Sequence, residues 1–180
     1  SNSPFFIYLA YNAPHGPLQA TEKYLKRYSH IKDKRRKTYA AMVSSIDDGV
    51  GDIVSALKEK NIYNNTIIYF LSDNGGAKSN ASNNAPLNSH KGTLYEGGIR
   101  IPFVMQWPDE IKGGTIFTKP IISLDIFATS KAIINPDLEL KNKIHGKNLL
   151  PFIKGFDNGY PHEYLYWRNN GHQPYIENGV

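Results

Sequence analysis

The sequence predicts an α/β fold, a mostly parallel sheet flanked by helices. Two short apolar runs, residues 5–10 and 66–72, are continuous rather than alternating, the pattern of strands buried on both faces. Between them the apolar positions recur at helical spacing over 38–60, as a crossover between two parallel strands requires.

The elements follow in order. Phe5-Phe6-Ile7-Tyr8-Leu9-Ala10 is predicted as a central strand, ending in the loop Asn12-Ala13-Pro14-His15-Gly16-Pro17. Ala41, Met42, Ile46, Val50, Ile53, Val54 and Leu57 mark the buried face of one long helix, stopped by Asn61 and Asn64-Asn65. Residues 66–72, rich in β-branched and aromatic side chains, form the second strand. Asp73-Asn74-Gly75-Gly76 and the Ser/Asn/Ala stretch to Ser89 read as a mobile surface loop. Residues 99–107 are a third strand interrupted by Pro102, and 123–134 a helix opened by Ser123 and Asp125. A loop-rich stretch from Asn135 leads to a last strand at 163–168.

Hydrophobic residues at 40% and charged residues at 21% are the balance of a folded chain with a core, and exclude wholesale disorder. No apolar run approaches the roughly 18–20 residues a membrane-spanning helix needs, so no span is expected. The opening Ser1-Asn2-Ser3-Pro4 has no basic leader and runs straight into a strand-like segment, so the start is read as a cut. The net charge of +5 is concentrated in Lys32-Asp33-Lys34-Arg35-Arg36-Lys37. That run could attract a polyanion, but no recognition-helix or stacking pattern surrounds it. It reads as a solvated loop and helix start, with no nucleic-acid partner expected. With no cysteine, disulfides, thiolate metal sites and cysteine nucleophiles are excluded within these 180 residues.

Ligands of open α/β sheets bind beyond the carboxyl ends of the strands. His15 follows the first strand, and Asp73-Asn74 the second. An adjacent carboxylate and amide oxygen on a Gly-Gly turn suit a hard cation such as Ca²⁺ or Mg²⁺, although such a sequence is also a common plain turn. A third cluster, Ser89-His90-Lys91-Gly92-Thr93-Leu94-Tyr95-Glu96-Gly97-Gly98-Ile99-Arg100-Ile101-Pro102, offers cations among glycines that let the backbone fold tightly. A lysine there could neutralise charge on a transferring sulfuryl or phosphoryl group.

In order and context, Asn-Ala-Pro-His15, Ser-Asp73-Asn74-Gly-Gly and Lys91-Gly-x-x-x-Glu96-Gly-Gly-x-Arg100-x-Pro102 resemble the type I sulfatases of the alkaline phosphatase superfamily. Ser123-Leu124-Asp125-Ile126-Phe127-Ala128-Thr129, Gly146-Lys147-Asn148-Leu149-Leu150-Pro151 and Leu165-Tyr166-Trp167-Arg168 resemble later landmarks of the same family. The resemblance implies an alkaline phosphatase-like partial domain. Residues 1–160 would be the later portion of the catalytic α/β domain, and 161–180 the start of a smaller C-terminal subdomain.

What the resemblance implies for the site is specific. Asp73 and Asn74 match half of the family's divalent-cation site, usually Ca²⁺; with only these two ligands the isolated chain is expected to bind Ca²⁺ weakly or not at all. Lys91 matches the lysine that contacts the sulfate oxygens. His15 matches a histidine beside the sulfate and the leaving oxygen, a substrate-binding and catalytic position. His90, Glu96 and Arg100 are supports. Asp47 and Asp48, on the long helix, are read as local caps or pairs. The family nucleophile is a formylglycine made from a Cys/Ser-x-Pro-x-Arg motif, which does not occur in these residues and is expected in an upstream segment. The implied substrate is a sulfate ester, most naturally on a sulfated carbohydrate, and the implied location of the whole protein is periplasmic or secreted. The chain alone is expected to be inactive. A phosphoesterase or phosphonate hydrolase of the same superfamily, or a non-catalytic module binding anionic glycan through the basic run, are the alternatives.

Overall fold

A computed structural model of the chain describes residues 3–168 and 175–177. The chain divides into two compact units, Ser1–Asn61 with Asn74–Arg100, and Ile62–Asp73 with Ile101–Val180.

The first unit is built on the long helix α2 (Lys34–Glu59), packed by the short α1 (Glu22–Arg27). The helix begins four residues before the apolar period does. The Asp33 carboxylate accepts from Arg36 N–H at 2.6 Å, capping an N-terminus made of the basic run. Ala41, Met42, Ser44 and Ile46 are the buried positions of α2. Asp48 pairs across to α1, accepting from both guanidinium nitrogens of Arg27 (2.7 and 2.9 Å) and from Lys23 (3.0 Å). Arg27 also donates to Ser44 Oγ at 2.8 Å. Asp48 thus pairs with another helix, 21 and 25 residues away in the chain, and not locally as read from the sequence; the Arg27 and Lys23 hydrogen bonds hold its carboxyl well below the usual carboxylate range.

The expected buried strand at 5–10 is not found. These residues carry no strand hydrogen bonds, and Phe6, Ile7 and Tyr8 are 84%, 72% and 83% exposed. An apolar run reads as a doubly buried strand only where neighbours cover both faces, and no described strand pairs with it. The chain becomes anchored at Tyr11, whose hydroxyl lies 2.6 Å from where a side chain at Gly49 of α2 would begin.

The second unit contains two small antiparallel pairs. Strands β1 (Ile68–Leu71) and β2 (Phe103–Gln106) run from Ile68 opposite Gln106 to Leu71 opposite Phe103, and Ser72 N–H extends the ladder to the Pro102 carbonyl. Of the strand expected at 99–107, only 103–106 form β2; Ile99 is the last residue of a short helix α3 (Glu96–Ile99), and Pro102 ends the segment before β2. Strands β3 (Tyr164–Tyr166) and β4 (Tyr175–Glu177) form the second pair. Of the expected subdomain at 161–180, residues 169–174 and 178–180 lie outside the described residues. The expected mostly parallel sheet is not found among the described residues, because the neighbour of β1 is β2, which runs antiparallel. The architecture is therefore an α/β piece with a small antiparallel sheet.

Helix α4 (Leu124–Ile134) opens as predicted, but not with Ser123 as its side-chain cap. Asp125 serves that end alone, accepting from Ile122 N–H at 2.9 Å. A short helix α5 (Leu150–Ile153) follows the segment that packs on α4 through Gly146, with Leu149 N–H donating to Thr129 Oγ1 at 3.0 Å. No described helix is long and apolar enough to cross a membrane.

Candidate functional site

The glycines of the two central motifs do something other than turn freely. Gly75 N–H donates to the Gly98 carbonyl (3.0 Å), Gly97 N–H to the Asn88 carbonyl (2.7 Å), and Lys91 N–H to the Gly76 carbonyl (3.1 Å). A Cβ on Gly75 would stand 1.8 Å from the Gly97 carbonyl oxygen, and one on Gly97 would stand 2.3 Å from that of Ser89. Backbone meets backbone here with no room for a side chain. The seam holds the segment that begins at Asn74 directly beside the one that carries Lys91.

The loop between them is cross-linked by side chains, contrary to its reading as a mobile stretch. Asn84 donates to the Gly76 and Ser89 carbonyls (2.9 and 3.2 Å) and accepts from Gly76 N–H (2.9 Å). Ser82 Oγ donates to the Ala77 carbonyl at 2.6 Å. A polar composition leaves a loop free only when its side chains face water, and here they replace the backbone partners a strand would supply. The 3₁₀ turn Lys78–Asn80 completes the loop, and Asn80 Nδ2 reaches the Pro14 carbonyl at 3.3 Å, tying the His15 loop to it.

Lys91 is half-buried, and its ammonium makes no hydrogen bond or ion pair among the described residues. A partly desolvated cation without a counter-charge favours an anionic ligand. His90 sits against it, Nδ1 bonded to the Lys91 carbonyl at 2.8 Å. His15 is exposed, and its Nδ1 is bonded to the Gly16 carbonyl at 2.8 Å. A carbonyl can pair only with N–H, so each of these bonds assigns a proton to Nδ1 of its ring. Glu96 and Arg100 form an exposed i,i+4 ion pair at 2.9 Å along α3. Each is the other's charge partner.

Asp73 ends one segment of the second unit and Asn74 opens one of the first. The Asp73 carboxylate is exposed and has no partner among the described residues, while Asn74 Nδ2 donates to the Gly75 carbonyl at 3.1 Å. One carboxylate and one amide oxygen have the chemistry of hard-cation ligands, yet a Ca²⁺ site takes roughly 6–8 oxygens. No group of three His, Cys, Asp or Glu able to hold a metal occurs among the described residues. The donor set fits part of a calcium site.

One constellation escaped the sequence reading. Asp125 is fully buried and accepts from His162 Nε2 (2.8 and 3.0 Å), Lys147 N–H (2.8 Å) and Ile122 N–H (2.9 Å). The pair has the look of an acid–base dyad, but the carboxylate is enclosed and ties three chain segments together. Its signal was an aspartate in the first turn of an apolar helix, which propensity reads as a cap.

The sulfatase family model matches residues 1–134. The chain belongs to the sulfatase family. It is 38% identical over 141 residues to arylsulfatase J of Mus musculus, covering 76% of this chain and 24% of that protein. It is 34% identical over 154 residues to N-acetylgalactosamine-6-sulfatase of Homo sapiens, covering 83% of this chain and 28% of that protein. Among solved structures, this sulfatase chain superposes on Ps i-CgsB in complex with k-i-k-neocarrahexaose with a TM-score of 0.87 at 43% identity, over 97% of this chain and 39% of that one. The similarity to a Bacteroides thetaiotaomicron sulfatase structure, TM-score 0.77 at 23% identity, shows the shared fold. The chain spans less than a third of the length of these curated relatives.

Proposed function

We propose that the chain is the later part of the catalytic domain of a sulfuric ester hydrolase acting on a sulfated carbohydrate. Residues 1–160 would belong to that α/β domain, whose sheet is mostly parallel in the whole protein, and 161–180 would begin a smaller subdomain. The observation that carries the reading is the glycine seam, which sets a half-buried Lys91, its ammonium without a counter-charge among the described residues, against the Asn74 segment in a chain of the sulfatase family. The carbohydrate assignment is supported by relatives named for N-acetylgalactosamine 6-sulfate and solved with a neocarrahexaose.

In the reaction the S–O bond to the alcohol breaks, the alcohol oxygen takes a proton, and the sulfuryl group ends as inorganic sulfate with an oxygen from water. Lys91 would meet the negative charge on the sulfuryl oxygens as that bond lengthens. His15, as an imidazolium with Nε2 protonated as well as Nδ1, would donate to the ester oxygen and pass the Nε2 proton to the departing alcohol. Asp73 and Asn74 would hold a divalent cation, Ca²⁺ by the family pattern, with ligands supplied by the rest of the protein. Such a cation supplies Lewis-acid polarisation of a sulfate oxygen. The nucleophile, a formylglycine in the resemblance, would come from a segment outside these residues. Periplasmic or secreted placement of the whole protein belongs to the same proposal.

The test is hydrolysis of p-nitrophenyl sulfate by the matured full-length protein and its Lys91→Ala and Asp73→Ala variants, with folding followed by circular dichroism. Loss of one preorganised charge contact reduces the rate by about 10²–10³. Asp73→Ala should be at least as damaging and should weaken Ca²⁺ binding in calorimetry. Folded Lys91→Ala within about twofold of the wild-type kcat/KM would remove the proposed role. Faster cleavage of p-nitrophenyl phosphate than of the sulfate would move the protein to the phosphoesterases.

A further inference from the structure

The loop between the Asn74 and Lys91 motifs carries two non-glycine residues in left-handed backbone, Ala81 at φ 62° and Ser89 at φ 69°. Such backbone costs about 1–3 kcal/mol per residue and persists only where the surroundings hold it. Both carbonyls are held. Arg36 Nη1 of α2 donates to the Ala81 carbonyl at 2.9 Å, and Asn84 Nδ2 donates to that of Ser89 at 3.2 Å. Arg35 donates to the Ser79 carbonyl, so two cations of the basic run grip this loop.

From that held loop, two amides reach the backbone of the two residues proposed to act on the ester. Asn80 Nδ2 donates to the Pro14 carbonyl at 3.3 Å. The N–H of the same peptide unit, that of His15, donates to the Asn12 carbonyl at 2.9 Å. The rigid plane leading into His15 is therefore fixed at both of its polar atoms. Asn84 Nδ2 donates to the Gly76 carbonyl at 2.9 Å, the same acceptor that takes Lys91 N–H at 3.1 Å. Asn84 Oδ1 accepts from Gly76 N–H at 2.9 Å, so one side chain fixes both polar atoms of the glycine that holds Lys91. All of these residues belong to the first unit.

Resting on the sulfatase reading, we infer that Asn80 and Asn84 are two separate positioning residues. Asn80 sets His15 for proton donation to the departing alcohol, and Asn84 sets Lys91 against the sulfuryl oxygens. The two amides serve different events of one bond cleavage. Proton donation matters most when the leaving alkoxide is strongly basic, whereas sulfuryl charge must be met whatever the alcohol. The two roles therefore separate by leaving group.

The experiment compares kcat/KM of the matured full-length protein on p-nitrophenyl sulfate and on phenyl sulfate, whose phenoxide is the more basic leaving group. Asn80→Ala should lower the phenyl sulfate value about tenfold further than the p-nitrophenyl value, the pattern expected of His15→Ala. Asn84→Ala should lower both by one common factor of about tenfold, part of the roughly 10²-fold loss that a full 1 Å misplacement causes. A positioning residue has nothing left to position once its target is gone, so the paired variants should be non-additive. Asn80→Ala should add less than about twofold to His15→Ala and its full factor to Lys91→Ala, and Asn84→Ala the reverse. Asn83→Ala is the control, because Asn83 is exposed and its carbonyl oxygen takes Ala85 N–H at 2.9 Å. It should leave both substrates unchanged. If Asn84→Ala does not fold by circular dichroism, Asn84→Ser runs the same cycle with the same expected result. Additive losses in both cycles, or one leaving-group pattern from both amides, would mean general loosening. Either result overturns the inference and leaves the sulfatase reading standing. Fully active His15→Ala and Lys91→Ala would overturn their proposed roles first and the inference with them. If the wild type cleaved no sulfate ester, the sulfatase reading would fail by itself, and amide hydrogen exchange would decide the two holds. Faster exchange confined to 12–16 in Asn80→Ala and to 88–92 in Asn84→Ala supports them, and exchange equal to the wild type overturns them.

Discussion

Replacing Gly75 with alanine probes the seam that joins the Asn74 and Lys91 segments. The new methyl would sit 1.8 Å from the Gly97 carbonyl oxygen, 2.7 Å from its carbon and 2.9 Å from Gly98 Cα. Ordinary contact begins at 3.4 Å, so the two backbones must separate by about 1.6 Å. All three neighbours are backbone atoms of a buried pair, and no flexible side-chain tip is available to yield. Overpacking of this kind destabilises by about 1–3 kcal/mol. The same movement carries Lys91 away from Asn74, because Gly75–Gly98 and Gly76–Lys91 are neighbouring bonds of one seam. Misplacement by about 1 Å can reduce turnover about 10²-fold. In the matured full-length protein, Gly75→Ala should therefore lower the urea midpoint and reduce kcat/KM on p-nitrophenyl sulfate by about two orders of magnitude. Gly51→Ala on α2, with nothing within 4 Å of the added carbon, is the control. It should stabilise by about 0.5–1 kcal/mol through helix propensity and leave activity alone. An unchanged midpoint together with kcat/KM within twofold for Gly75→Ala would refute the seam.

Asp125→Ala leaves Ile122 N–H, Lys147 N–H and His162 Nε2 without their acceptor in a fully buried place. Breaking such a buried pair from one side destabilises by about 3–5 kcal/mol, visible in the urea midpoint and in faster proteolysis near 146–163. His162→Ala should do less harm, since the carboxylate keeps two backbone donors; equal harm would mean the histidine carries the clasp. Asp48 is held below the usual carboxylate range by Arg27 and then Lys23, so its contribution to stability is present above the unfolded value of about 3.9 and is lost as pH falls through the lower folded value. The stability difference between wild type and Asp48→Asn should hence be flat above about pH 5 and shrink as the pH drops below about 4. A difference that shrank on going from neutral to alkaline pH instead would contradict the ion pair.

How far the fold was legible follows the range of the forces involved. Helix α2 was readable because its buried face repeats within a single element, and its extra first turn was missed because a basic run opposes the helix dipole unless an Asp33 cap offsets it. Strand β1 and helix α4 were readable for the same local reason, and β2 was displaced only by Pro102. The strand expected at 5–10 failed because burial belongs to a segment's neighbours, and apolar residues alone do not supply them. The same limit hid the antiparallel partner of β1.

By itself the sequence determined the family and the residue types of the candidate site: His15, Asp73, Asn74 and Lys91 stand in motifs whose order and spacing are chain properties. Tertiary structure alone decided what the glycines are for, since Gly75 is required by backbone 22 residues away in the chain and Gly97 by backbone 8 and 9 residues away, which no local pattern encodes. It also decided that Asp125 is a clasp answered by His162 and that the 73–89 loop is pinned. A hydrogen bond needs its partner within about 3 Å, and only folding brings residues so distant in sequence that close.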